Sequence, residues 1–340
     1  MAIAVSVLLV TGLPGAAAHA GPAVAAARLS PAGPAPQAAA VGSVPRPDHI
    51  VVVVEENHSG TQIIGNPNAP YITSLAANNA NFTSSFALTH PSQPNYIGLF
   101  SGSTQGVTDD ACPFSFATPS LGDRLIAGGH TFAGYSESQP SAGYTGCQNA
   151  GLYARKHNPW VDFPAIPAAS NQPFSAFPSD YSTLPDVSFV VPNLQNDMHD
   201  GTIAQGDTWL QSNLSGYVTW AATHNSLLIF TFDEDDSSAG NRIATIFAGE
   251  RVVPGSYAET INHYNVLRTI EDAFGVTPLG ASATSPPILD VWTAPVGDPP
   301  PTAAFTYSCQ GVSCSFDGTG STDDTSVVGW TWDFGDGSSA

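Results

Sequence analysis

The stretch His49-Ile50-Val51-Val52-Val53-Val54-Glu55-Glu56-Asn57-His58 decides the fold. An unbroken β-branched run is what a strand buried on both faces of a parallel sheet requires. Here it breaks off into the polar cluster Glu55–His58. The same shape recurs downstream: Val187–Val191 stops at Pro192-Asn193 and runs on to Asp200, and Ser226–Phe232 stops at Asp233-Glu234-Asp235-Asp236. In open α/β sheets the ligand site lies outside the carboxyl ends of the strands. Three remote segments are therefore expected to meet at one edge.

Working outward, Pro70–Asn79, Leu121–Gly128, Trp209–Thr223 and Tyr264–Phe274 read as helices, the last closed by Gly275. Thr131–Tyr135 and Arg242–Ala248 read as further strands. Strands alternating with helices predict an α/β domain over residues 47–293, with a doubly wound, mostly parallel sheet. Ahead of it, Ala2–Leu13 is apolar and leads to Ala18-His19-Ala20, which reads as a signal peptide over 1–20. The run is too short for an ordinary membrane span, so no stable membrane insertion is expected. Residues 21–46 are Ala- and Pro-rich and read as a flexible, disordered leader. Leu279–Pro301, rich in Pro, Ala, Ser and Gly, reads as linker, with the linker proper at 294–301. Residues 302–340 alternate apolar and polar residues between turn signals and read as short strands.

The chain of 340 residues is long enough for about two domains. Lys and Arg total 8 against 28 Asp and Glu, a formal charge of −20. That excludes a nucleic-acid binder, which needs a basic surface to replace counterions along the phosphates. It also disfavours electrostatic docking on anionic membranes. The cysteines fit an oxidising compartment: Cys309 and Cys314 are close enough to pair with each other, leaving Cys112 to pair with Cys147. Buried free thiols are the competing reading.

Several clusters carry chemistry. Glu56-Asn57 at one strand end and Asp233–Asp236 at another offer the multiple oxygen ligands that hard divalent cations take. Crowded without a cation, such carboxylates repel and bind protons. A solvated acidic loop is the bland alternative, and position at strand ends favours the metal. Ser92 lies between Pro91 and Pro94, which predicts a hydroxyl presented on a rigid turn. A serine becomes a nucleophile when something lowers its pKa, as a coordinated metal does. His199 stands between Asp197 and Asp200, and His263 opens the last helix; for each, a site role competes with ordinary packing. Arg155-Lys156-His157 contains the chain's only lysine and offers local positive charge for an anionic group. A surface salt bridge is the alternative there.

In their order along the chain, Val51–Ser59, His90–Tyr96, Asn196–Gly201, Phe230–Asp236 and Asn262-His263-Tyr264 resemble the phosphoesterase family of bacterial secreted acid phosphatases and phospholipases C, within the alkaline phosphatase superfamily. The likeness covers residues 48–293, and Ala154–Trp160 is similar to its mycobacterial-type members. It implies an alkaline-phosphatase-like fold and a secreted, metal-dependent hydrolase of phosphate monoesters, either small molecules or phosphoinositides such as phosphatidylinositol 3-phosphate. By position it implies Glu56, Asn57, Asp233 and Glu234 as ligands of a divalent cation. Related members often carry two aspartates at the last pair, so Asp235 or Asp236 could replace Glu234. It implies Ser92 as the nucleophile that becomes phosphorylated, with His199, Asp200 and His263 as catalytic partners. His90 and Asn95, together with Arg155, Lys156 and His157, would hold substrate. Activity is expected at mildly acidic pH. A phospholipase C and a non-catalytic binding module are the competing functions. Pro301–Ala340 resembles the start of a PKD domain, an immunoglobulin-like β-sandwich, through Ser315–Gly318 and Trp332–Gly337. An incomplete sandwich cannot bury both inner faces, so a poorly ordered tail is expected.

Overall fold

A computed structural model of the chain describes residues 43–293, 302, 304–310 and 313–322. Its strands are β1 (His49–Glu55), β2 (Ala80–Phe86), β3 (Phe132–Ser136), β4 (Gln148–Asn149), β5 (Tyr153–Ala154), β6 (Asn171–Pro173), β7 (Val187–Val191), β8 (Ser226–Phe232), β9 (Arg242–Gly249), β10 (Gly255–Asn262), β11 (Thr306–Gln310) and β12 (Ser313–Asp317). Its α-helices are α1 (Gly60–Ile63), α2 (Pro70–Asn78), α3 (Ser92–Ser101), α4 (Leu121–Ala127), α5 (Ile203–Ala221) and α6 (His263–Ala273). Residues Ser43–Thr293 make one compact unit, built on an eight-stranded sheet ordered β10-β2-β9-β8-β1-β7-β3-β6.

The β-branched run is β1, flanked by β8 and β7, both parallel to it. In register with β8, Glu55 stands opposite Phe232, so the residues that follow, Glu56 and Asp233, leave the sheet side by side. The sheet is mostly parallel, and β9 runs against its neighbours β8 and β2. The reason is length: residues 233–241 form a short return, too short for the crossover that a parallel pair needs. That return carries the acidic cluster.

Side chains alternate across a strand. Val51 and Val53 face the core formed with α2 and α5, alongside Leu228, Phe230 and Phe232. Glu56 has the opposite parity and emerges on the side of α3. There Phe100 of α3 meets Phe132 and Phe189 at ring-centroid distances of 5.3 and 5.4 Å. Gly134 of β3 leaves room for Trp160, since a Cβ there would come within 2.1 Å of the indole.

Strands β2 and β10 and helix α3 were not legible as elements. The strands are polar and partly exposed. Helix α3 is buried on every side, so it has no amphipathic stripe, and its prolines and Gly98 disguise it. Helix α5 starts at Ile203 rather than Trp209, after Thr202, whose side chain caps Gln205 N–H. Leu279, Ile288, Val291 and Trp292 are buried, so most of the stretch read as linker is packed chain. Val44 is also buried, and Arg46 lies 5.6 Å over the Phe274 ring.

Strands β11 and β12 pair antiparallel, with Thr302 bridged to Thr322. The remainder of the PKD-like stretch, including Trp332–Gly337, lies outside the described residues, as do the signal-like segment and residues 21–42. Cys112 and Cys147 form a disulfide. Cys309 and Cys314 are register partners in the hairpin, and the bond expected between them lies outside what is described.

Candidate active site

Ser92 is the first residue of α3, so its hydroxyl sits at a helix start and not on an isolated turn. A helix N-terminus favours negative charge. The hydroxyl is 3.0 Å from Glu56 Oε2, 3.0 Å from Glu234 Oε1 and 3.5 Å from Asn57 Oδ1. Asp233 completes the group: its Oδ1 accepts the Asn57 N–H at 3.2 Å, and its buried Oδ2 has no hydrogen-bond partner. Asn57 itself takes a left-handed conformation, φ 53°. This turn brings its backbone N–H toward Asp233 just after the strand ends.

The electrostatics follow from crowding. Burial, together with Glu56 and Glu234, holds the Asp233 carboxyl well above its ordinary pKa. Burial also raises Glu234, against the opposing pull of Ser92 and His90. For Glu56 burial acts upward too, but His157 beside it brings it down to about 2. Burial lowers His157, yet Glu56 and Asp197 on its two sides push it up to about 9. An all-oxygen set of three carboxylates and one amide, with Asp233 Oδ2 and Glu56 Oε1 lacking hydrogen-bond partners, is the donor chemistry a hard divalent cation takes. The residues present fit such an ion. His199 also brings a ring nitrogen within 4.8 Å of ligand atoms of Glu56 and His157.

Of the acids weighed at the β8–β9 return, geometry singles out Glu234. Asp235 accepts the N–H groups of Ser237, Ala239 and Asn241 and braces the loop. Asp236 is exposed and bonded to Gln62 and Ser238. His90 bridges the rim, 2.6 Å from Glu234 and 3.3 Å from Asp235.

Four residues read as catalytic or substrate-holding have other employment. Asn95 accepts the Leu88 and Thr89 N–H groups and donates to the Thr89 and Pro91 carbonyls, so it is a clamp on the loop before Ser92. Arg155 is buried and bonded to Asp162 and to the carbonyls of Thr145, Phe114 and Val161. His157 lies 3.0 Å from Glu56 and 3.3 Å from Asp197 and stacks on Tyr96; it orients Glu56 and is covered from solvent. His263 donates from Nε2 to the Asp233 backbone carbonyl at 2.8 Å, and burial drops it to about 4, so it is neutral. Each is a buried hydrogen-bonding residue whose polar type gave no sign of which way it faced.

His199, Asp200 and Lys156 do reach the rim. His199 Nδ1 lies 2.7 Å from Asp200 Oδ1, and its Nε2 is 3.5 Å from Lys156 Nζ. The partners assign the tautomer: Nδ1 donates to the carboxylate and Nε2 accepts from the ammonium. Sequence reading missed Asp110, which binds Lys156 and Gln93; Asp197, read only as a flank of His199, accepts the Glu56 N–H at its backbone carbonyl, 2.8 Å. Nothing around Asp110 in the sequence marks it.

The model of the Phosphoesterase family matches residues 66–277. A phosphatidylinositol-3-phosphatase from Mycobacterium tuberculosis is 53% identical over 256 residues, 74% of this chain and 85% of that protein. A phosphate-repressible acid phosphatase from Penicillium chrysogenum is 30% identical over 62% of this chain and 55% of its own length, so the chain spans about half of that fungal relative. Among solved structures, a phosphonate monoester hydrolase from Silicibacter pomeroyi superposes with a TM-score of 0.53 at 9% identity, covering 76% of this chain and 79% of that one. A protein of the alkaline phosphatase superfamily from Vibrio parahaemolyticus gives 0.50 at 12% identity, covering 73% and 74%. These two carry the fold: an alkaline-phosphatase-like α/β architecture.

Proposed function

The chain belongs to the phosphoesterase family and is a phosphoric-ester hydrolase of the acid phosphatase kind, and from that premise we propose that it is a metal-dependent phosphate monoesterase working through a phosphoserine on Ser92. The observation that carries the reading is the Ser92 hydroxyl lying 3.0 Å from both Glu56 and Glu234 where two strand ends meet. Glu56, Asn57, Asp233 and Glu234 would hold the cation. When bound, the ion supplies positive charge that acidifies the serine hydroxyl and offsets the charge of the phosphoryl oxygens.

The chain's own residues do the rest. Ser92 Oγ, 3.0 Å from Glu56 and Glu234, loses its proton to solvent as it attacks phosphorus. The O–P bond to serine forms as the ester O–P bond breaks, in line. The leaving oxygen takes its proton from water at the rim, beside His199, which Asp200 fixes through Nδ1. Water then attacks the phosphoserine, releasing inorganic phosphate and restoring the hydroxyl. Lys156 lies beside this path with its positive charge. Near pH ~6 a monoester is a mixture of monoanion and dianion, so mildly acidic pH eases its approach to the acidic site while leaving dianion to bind.

The 53% identical relative is named for a phosphoinositide substrate, and a phosphoinositide monoester headgroup is accordingly the proposed substrate class. Export is proposed as well, supported by the signal-like N-terminus and the Cys112–Cys147 disulfide.

Ser92→Ala is expected to lower phosphate release from p-nitrophenyl phosphate by about 10³-fold or more while leaving the melting temperature close to that of the unmutated protein. Near-normal turnover in that variant would end the reading. Release from bis(p-nitrophenyl) phosphate outpacing the monoester would replace it with a phosphodiesterase.

A further inference from the structure

Asp110 lies in the segment between α3 and α4, outside every motif described above. One oxygen, Oδ1, accepts the backbone N–H of Gln93 at 3.0 Å, and Gln93 directly follows Ser92 in the first turn of α3. The other, Oδ2, accepts from Lys156 Nζ at 2.8 Å. One carboxylate thus ties the start of the Ser92 helix to the ammonium group at the rim. Its segment is itself anchored. Cys112, two residues on, is bonded to Cys147, and the Cys147 carbonyl accepts the Arg155 N–H at 3.0 Å. Disulfide, backbone bond and ion pair close a ring through Asp110, Cys112, Cys147, Arg155 and Lys156.

The ion pair decides where the ammonium stands. A lysine carries four rotatable side-chain bonds and aims at nothing without a partner. Here Nζ is drawn beside His199 Nε2 at 3.5 Å, and His199 in turn sits within 4.8 Å of Glu56 ligand atoms. Arg155, Arg242 and Arg268 have their guanidinium groups engaged elsewhere, on Asp162, Thr83 and Asp272.

We propose that Asp110 is a positioning residue: it holds the Lys156 ammonium over the place a phosphate dianion occupies and fixes the backbone next to Ser92. The inference rests on the reading of Ser92 and its neighbours as a phosphate-monoester site. A dianion gains more from a fixed ammonium than a diester monoanion does, so the Asp110–Lys156 pair also sets preference for monoesters. Asp110 acts through Lys156 and does not touch substrate.

The test is a double-mutant cycle on the full chain with added divalent cation, read by inorganic phosphate binding in calorimetry and by p-nitrophenyl phosphate kinetics. Asp110→Asn keeps an oxygen for the Gln93 N–H and loses the charge. It is expected to weaken phosphate binding and raise KM about tenfold, the scale of one charge-assisted hydrogen bond, with kcat falling much less. Asp110→Ala, which also frees Gln93, adds a loss in kcat. In a Lys156→Gln background, Asp110→Asn should change phosphate affinity less than twofold. Effects of Asp110→Asn and Lys156→Gln that multiply independently would overturn the inference, as would an unchanged phosphate affinity in Asp110→Asn. Should the unmutated protein bind phosphate but release none from the monoester, the phosphatase reading fails while the binding cycle still decides the role of Asp110. An unmutated protein that binds no phosphate overturns the inference.

Discussion

Asn57 performs two tasks that substitution can separate. Its left-handed backbone suits asparagine or glycine and penalises other side chains by about 1–2 kcal/mol. Its amide oxygen lies 3.5 Å from the Ser92 hydroxyl among the proposed ligands. Asn57→Gly is therefore expected to keep stability and lose cation affinity, whereas Asn57→Ala loses both, by about 1 kcal/mol of stability; urea unfolding and metal calorimetry on the two variants check this. The same crowding sets the response to chelation. Asp233 and Glu234 hold protons more tightly than free carboxyls because they are buried near one another. A cation that binds the folded chain alone stabilises it by mass action, so exhaustive chelation should lower the melting temperature and abolish turnover. Restoring the metal should recover both.

Helix α6 carries a pH effect well away from this site. Glu271 is buried, accepts from Ser282 Oγ at 2.6 Å and from Leu279 N–H at 2.9 Å, and burial raises it from 4.5 to about 7. A carboxyl with a higher pKa folded than unfolded binds its proton more tightly in the folded chain. Its contribution is complete below pH 4.5 and is lost as pH rises through about 7. Melting temperature in Glu271→Gln should therefore fall less steeply between those limits than in the unmutated chain. What was legible at this scale were strands buried on both faces, because β1, β7 and β8 carry apolar runs whose only use is a sheet interior. Their polar ends placed Glu56, Asn57, Asp233 and Glu234 together, since parallel register leaves adjacent strands at one edge. Helix α3, being buried all round, has no period to read. Asn95, Arg155, His157 and His263 were hard to place for a related reason: a polar residue next to a site and a polar residue bracing it look alike until their partners are known.

Across the whole molecule the charge of −20 opposes a phosphate dianion before any contact is made. Screening shortens that repulsion to about 8 Å at physiological ionic strength. kcat/KM for an anionic monoester should therefore rise with added salt from low ionic strength, the reverse of enzymes that are drawn to anionic lipid by basic patches. Stopped assays in a sodium chloride series, on soluble monoester and on phosphoinositide vesicles, check the slope. Among the described residues no helix is long and apolar enough to cross a membrane. The parallel register that sets Glu56 beside Asp233 also limits how this protein can change over generations. Val51 to Val54 could be exchanged among apolar residues at modest cost, but deleting one of them would turn Glu56 toward α5 and put Asn57 in its place beside Ser92. Frameshift-free gains or losses of a single codon in β1 or β8 are thus barred far more strictly than substitutions, and variation in length must collect in the loops.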